Sequence, residues 1–270
     1  MPELPEVETT CRGISPHLIG QTITAVRIFH PRLRWPIPDE VHTLVGRTIR
    51  SITRRAKYLL MDCETGHLIV HLGMSGSLRI VAPDAPRGKH DHVEIQVGAQ
   101  VLRLRDPRRF GAVLWTEEPP HTHPLLAHLG VEPLDAAFDG ESLYAQTRKV
   151  NTPIKLFVMD AKRVVGVGNI YASESLFLAG IDPRTRAGKL SAARCERLAK
   201  AIKSVLRAAI RAGGSSLRDF VGSDGTSGYF QLNYRAYNRA GAPCRTCGQL
   251  IRRIVMGQRS TFFCAQCQTR

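Results

Sequence analysis

The sequence predicts an α+β chain in three parts: a β-rich first half, a helical middle and a metal-bound β-hairpin at the C-terminus. Three observations carry this. Short runs rich in Val, Ile, Leu and Thr recur over residues 1–130. The apolar pattern then changes to a helical period. Four of the seven cysteines cluster at the C-terminal end.

Composition narrows the class further. The 270 residues suit one large or two modest domains. At 43% hydrophobic and 23% charged, the chain can bury a core. The charge is lopsided: 38 Lys+Arg against 23 Asp+Glu give a net +15 and a pI near 10.0. Such an excess calls for a polyanionic partner. Nucleic acid is the commonest, and an anionic membrane surface is the rival. No run of roughly 18 apolar residues is present to span a bilayer. No basic stretch leads into an apolar one at the N-terminus, as a signal peptide would. The expectation is a soluble, intracellular protein.

The β elements are expected at Thr22–Ile28, Thr48–Thr53, Tyr58–Cys63, Leu68–Leu72, Leu78–Val81, Val93–Val97, Val101–Leu104 and Ala112–Trp115. Turn residues separate them, and this spacing suits a sandwich or a barrel. A helix near Val7–Ile19 precedes them, its pattern interrupted by Gly13 and Pro16. A linker begins at Thr116–His123 and ends near Asp139-Gly140. Helices follow at Ser142–Lys149, Ile154–Met159, Asn169–Ala179 and, most clearly, Ala192–Ala212. In that last helix Leu198, Ile202, Val205, Leu206 and Ala209 form one apolar stripe. Its basic face reads as ordinary solvated surface. The domains are placed at 1–130, 131–225 and 235–270.

Cys244-x2-Cys247 and Cys264-x2-Cys267 stand sixteen residues apart. That is the spacing of a four-thiolate zinc site. Two disulfides are the alternative, which a reducing compartment disfavours. The tail is too short for its own apolar core, so one structural zinc supplies the missing stability. Ile251–Val255 and Ser260–Phe263 form the hairpin, with Arg259 near its tip. Cys11, Cys63 and Cys195 are isolated and read as small buried hydrophobes.

The start, Met1-Pro2-Glu3-Leu4-Pro5-Glu6, carries the sharpest chemistry. Taken alone, such a segment is more often frayed or turn-forming. If Met1 is removed, Pro2 offers a free secondary amine, and an amine attacks an electrophilic sugar carbon to give an iminium. An α-amino group titrates near pH ~8, so part of it is neutral at pH 7. Glu3 stands beside it to move protons. Lys57, in the basic run Arg54-Arg55-Ala56-Lys57, is either a surface phosphate contact or a second catalytic group. In the catalytic case the neighbouring cations help keep it partly neutral.

Met74 lies between Gly73 and Gly76, and Asp106-Pro107-Arg108-Arg109-Phe110-Gly111 is a second turn. Alone, Met74 and Phe110 would more often be core residues. Against a nucleic-acid partner they fit apolar wedges, with Arg108 filling the space of an extruded base. His90 in His90-Asp91-His92 reads as a phosphate contact rather than half of a metal pair. Gly166-Val167-Gly168-Asn169 runs into a helix start with Asn169 as its cap, which suits a phosphate; Lys155 could add charge there.

Together, PELPEVET, RRAKYLL, HLGMSGSLR, KHDHV, DPRRFG, VVGVGNIYASESLF, SDGTSGYF and the double-CxxC tail with QRSTFF span essentially the whole chain. In these segments the chain resembles the bacterial formamidopyrimidine-DNA glycosylase family, which excises 8-oxoguanine and ring-opened purines. The resemblance implies an N-terminal β-sandwich, a helix–two-turn–helix domain and a zinc finger, with DNA in the cleft between. It implies that Pro2 attacks C1′ of the damaged nucleotide, that Glu3 assists base departure, and that Glu6 is a carboxylate near the site. Lys57 would act during β-elimination, and Arg259 would clamp phosphates and help δ-elimination. Met74, Arg108 and Phe110 match the family's void-filling trio; Asn169 and Lys155 fall on its DNA- or lesion-contacting positions, and the family often has a phosphate-binding lysine near Lys149. The loop Ser215–Tyr229 would close over the flipped base. The implied partner is damaged double-stranded DNA, bound by a cytoplasmic monomer with no role for a membrane. Two alternatives stand beside this: the sister family acting on oxidised pyrimidines, typically with Gly where this chain has Leu4, and a non-catalytic zinc-containing DNA-binding protein.

Overall fold

The computed structural model describes residues 2–215 and 229–270. It forms two compact units, Met1–His128 with Ala212–Tyr229, and Leu129–Arg211 with Phe230–Arg270. The interior of the expected closing loop lies outside the described residues.

The first unit opens with α1, Leu4–Leu18. It starts three residues before the expected helix because Glu3 and Glu6 form a reciprocal capping box and Pro5 sits in the first turn. Pro16 does not interrupt it, since Ile14 and Leu18 are both fully buried and hold the last turn in place. Leu4, Val7, Cys11, Ile14 and Leu18 recur at helical spacing and make its buried face.

Eight strands follow: β1 Ile23–Ile28, β2 Ser51–Arg55, β3 Tyr58–Asp62, β4 His67–His71, β5 Ser77–Val81, β6 Asp91–Val97, β7 Gln100–Arg105 and β8 Ala112–Thr116. They form two antiparallel four-stranded sheets, ordered β1-β6-β7-β5 and β2-β3-β4-β8. The sequence left sandwich and barrel open; the structure is a sandwich. Leu59, Met61, Leu68 and Val70 from one sheet share a core with Val93, Ile95, Leu102 and Leu104 from the other, and the buried face of α1 joins it. A 3-10 helix at Asp39–Leu44, absent from the sequence expectation, adds Val41 and Leu44.

The second unit holds α2 Gly140–Thr147, α3 Ile154–Met159, α4 Asn169–Leu178, α5 Ala192–Arg211 and the hairpin β9 Arg252–Met256 with β10 Arg259–Phe263. Asp139 caps α2 by accepting the Ser142 N–H at 2.8 Å. Helix α4 is buried from Ile170 to Phe177, its polar Ser173, Glu174 and Ser175 included. The expected stripe of α5 is buried throughout. The hairpin ladder ends at the Met256–Arg259 pair, so the connection is only Gly257-Gln258, both at positive φ. That two-residue turn matches the twist of the strands.

Candidate active site and nucleic-acid interface

Pro2 and Glu3 are buried at the head of α1. Glu6 fixes this segment. Its Oε2 accepts the Glu3 N–H at 2.8 Å, and its Oε1 accepts the Ser215 N–H at 2.8 Å. Gly214 has φ +81°, and a Cβ there would lie 3.1 Å from Glu6 Oε1. One carboxylate thus ties the first residues of the chain to the root of the 216–228 segment. Charged acceptors make such bonds short and strong, and a carboxylate in the first helical turn is favoured by the helix dipole.

Lys57 sits on the two-residue turn joining β2 to β3, not within a strand. Its neighbour Ala56 is buried and strained at φ +55°. Arg54 is tied to this turn. Its Nε donates to Glu8 at 2.9 Å and its Nη1 to the Ala56 carbonyl at 2.9 Å, so it braces the turn. Burial pushes the Glu8 carboxyl up, but Arg12 and Arg54 outweigh it and hold it below the usual range. His71, unremarked in the sequence, lies in the field of Lys57. Burial first, then the charges of Lys57 and Arg34, push its pKa down to about 4. Its neutral ring accepts the Gly73 N–H at 3.0 Å and so holds the start of the Met74 turn.

The two wedge turns are held against one another. Met74 and Phe110 are 36% and 45% exposed, unlike the core residues their types suggest. The Arg108 guanidinium stands 4.8 Å from the centre of the Phe110 ring. Asp106, fully buried, is the clamp. Its Oδ1 accepts from Ser75 Oγ at 2.8 Å, and its Oδ2 accepts the Gly111 N–H at 2.8 Å. Gly73 has φ +63°, and a Cβ on it would stand 2.4 Å from the Gly111 nitrogen. Only glycine allows that approach. His92 donates its Nε2–H to the Asp106 backbone carbonyl at 2.9 Å, and Asp91 faces Arg103 at 3.6 Å. Those two residues are structural, which leaves half-buried His90 as the one of the three open to a ligand.

In the second unit, two expectations need correction. Asn169 does not cap α4; Gly168 holds the cap position. The Asn169 amide instead donates to the Ser260 carbonyl at 3.0 Å, next to Arg259 on β10. Lys155 does not present its charge at the surface. It is fully buried, and its ammonium donates to Thr261 Oγ1 at 2.7 Å and to Asn169. Its position suits it to orient Asn169 and the hairpin. Lys149 is exposed at φ +60° beyond the end of α2. Arg148 is occupied, donating to the Leu190 carbonyl at 2.7 Å and stacking on Tyr144 at 3.8 Å. Arg259 is exposed at the first position of β10. Glu174, missed in the sequence, is a second anchor. Its carboxylate accepts the N–H groups of Arg235, Ala236 and Tyr237 at 2.8–2.9 Å, and the Tyr237 ring meets Phe262 of β10 at 5.2 Å.

The four C-terminal thiols converge, all within 4.8 Å of one another. Cys244 and Cys267 Sγ are 3.9 Å apart, and Cys247 and Cys264 Sγ 3.5 Å. Disulfide sulfurs stand about 2.05 Å apart. Zinc–sulfur bonds of about 2.3 Å in a tetrahedron put sulfurs about 3.8 Å apart, so the donor set fits one closed, structural zinc. It is the only such cluster among the described residues.

Comparison with known proteins agrees along the whole chain. Residues 1–113 match the formamidopyrimidine-DNA glycosylase N-terminal domain, 129–221 its H2TH domain, and 241–270 the zinc finger found in FPG and IleRS. The formamidopyrimidine-DNA glycosylase of Aromatoleum aromaticum is 58% identical, with all of both chains covered. A complex between a Lactococcus lactis FPG variant and Fapy-dG-containing DNA is 33% identical, with a TM-score of 0.92 over the full length of both. The wild-type Lactococcus lactis protein bound to oxidised-pyrimidine DNA is 33% identical, with a TM-score of 0.91 and the same coverage. This chain belongs to the formamidopyrimidine-DNA glycosylase family.

Proposed function

We propose that this protein is a base-excision repair enzyme. It removes 8-oxoguanine and formamidopyrimidines from duplex DNA and then cuts the strand at the vacated sugar. The observation that carries this reading is the fixed N-terminus. A chain start is normally frayed; here residues 2–6 are buried and held by Glu6. Once Met1 is removed, the Pro2 nitrogen is a secondary amine in an ordered setting.

The sequence of steps follows from that amine. The lesion must leave the stack before it can be reached, at a cost of a few kcal/mol. Met74 and Phe110 enter the vacated space and Arg108 bonds the orphaned partner base, which offsets part of the cost. The Pro2 nitrogen attacks C1′, the base leaves with a proton relayed through Glu3, and the sugar opens to an iminium. The iminium acidifies C2′. Loss of a C2′ proton expels the 3′ phosphate, and a second elimination expels the 5′ phosphate. Lys57 and Arg259 serve these eliminations by proton transfer and phosphate binding. His90, Asn169 and Lys149 hold the backbone, and Lys155 acts through Asn169. The zinc holds the hairpin that carries Arg259 and takes no part in bond making. The enzyme works as a monomer in the cytoplasm.

The oxidised-pyrimidine complex of the Lactococcus lactis relative keeps that substrate class as a second reading. Single-turnover excision from matched duplexes holding 8-oxoguanine or thymine glycol separates the two. Faster release of 8-oxoguanine is expected. Preference for thymine glycol would assign the pyrimidine substrate, and binding without release would leave only the non-catalytic alternative.

A further inference from the structure

We propose that the second unit carries a docking pocket for an acidic peptide that inserts one apolar side chain. This is independent of base excision. A cavity of about 290 Å3 opens between α4, α5 and the residues that follow Phe230. Its apolar lining is mostly aliphatic, Leu178, Val205 and Ala208, joined by the largely buried Phe230. Leu178 is 41% exposed on a helix otherwise buried from Ile170 to Phe177. Arg235 and Arg245 also line it.

The cavity adjoins a cationic stripe. Arg197, Lys200, Ser204, Arg207 and Arg211 are exposed and lie three or four residues apart, on one face of α5. The stripe runs about 21 Å along the helix. Ser204 belongs to both the stripe and the pocket. Two acids lie nearby. Glu174 also lines the cavity, but its carboxylate is engaged by three backbone N–H groups. Glu196 is paired with Lys200 at 2.9 Å.

Charge complementarity selects the occupant. Cations spread along a helix suit an extended acidic segment better than a single phosphate cluster. A mostly aliphatic lining suits an apolar side chain, whereas single-stranded nucleic acid wants exposed aromatic faces on which to stack, and Phe230 is only 5% exposed. The volume is at the lower end for ligand pockets and holds one large side chain.

The probe is a fluorescein-labelled peptide of five aspartates followed by phenylalanine, read by anisotropy on the full-length, zinc-loaded protein. Saturable binding is expected, weakened at least about tenfold when the phenylalanine is replaced by alanine, by Leu178→Glu, and by Arg235→Glu. Retained zinc and an unchanged thermal midpoint show that these variants are folded. Equal binding of the alanine peptide, or no effect of either folded variant, overturns the proposal in favour of general charge attraction. Oligothymidine that displaces the peptide and is itself weakened by Leu178→Glu overturns it in favour of a nucleic-acid surface.

Discussion

Glu6 spends both carboxylate oxygens on backbone N–H groups that come from opposite ends of the first unit's sequence. Glu6→Gln keeps the shape but turns one acceptor into a donor facing an N–H. A stranded, buried polar group costs about 1–3 kcal/mol. If that loss falls on the ordered N-terminus, single-turnover excision slows by roughly tenfold or more, since each 1.4 kcal/mol is a factor of ten. Binding to an abasic-analogue duplex should change far less; equal losses in both would make Glu6 a general stabiliser. His71 gives a pH prediction. Its folded pKa, about 4, lies below the ordinary value of 6.5. The unfolded chain therefore takes up the proton first. Stability is unaffected by this group above pH 6.5 and is lost as pH falls from 6.5 toward 4. Between pH 7 and 5 the urea midpoint of His71→Gln should fall less steeply than that of the parent, and parallel slopes would contradict this.

The paired wedge turns stand or fall together as an element. Asp106 bonds Ser75 on one turn and Gly111 on the other, while Gly73 lets the backbones approach. Gly73→Ala puts a Cβ into the Gly111 backbone and is expected to displace Met74 while the sandwich core survives. Its signature is a lower rate of duplex opening, followed with 2-aminopurine opposite the lesion, with little change in thermal midpoint. A normal opening rate would remove the clamp from the mechanism. The zinc hairpin is the other such element. Four converging thiols replace a core the tail lacks. Cys247→Ser, or exposure to a strong chelator, should lose zinc and DNA affinity together. What the sequence displayed here was periodicity and spacing: α5, the strands and the double CxxC were readable because each repeats on its own scale. Asp106, Glu174 and Lys155 were not. Their roles depend on partners 31, 62 and 106 residues away, and a lone buried charge looks in sequence like a solvated one.

For the whole molecule, the net charge of +15 sets how binding responds to salt. Neutralising six to ten phosphates would cost about 10³–10⁵ in affinity between 50 and 200 mM salt. Lys149→Ala should reduce the logarithmic salt slope by about one contact's share, while Phe110→Ala should leave the slope alone and weaken lesion capture. Among the described residues no helix is long and apolar enough to cross a membrane. The division into two units was only partly legible, because residues 212–215 and Tyr229 group with the first unit although they follow the helices of the second. Composition gives no sign of this grouping, in which the Ser215 N–H meets Glu6. The central claim is that the Pro2 amine is the nucleophile. Borohydride trapping tests it most directly, on a duplex with one 8-oxoguanine opposite cytosine and with protein whose intact mass shows Met1 removed. The account expects a covalent adduct whose DNA-bearing peptide begins at Pro2 and which Pro2→Gly diminishes. An adduct mapping to Lys57, or none at all from zinc-loaded protein, would contradict it.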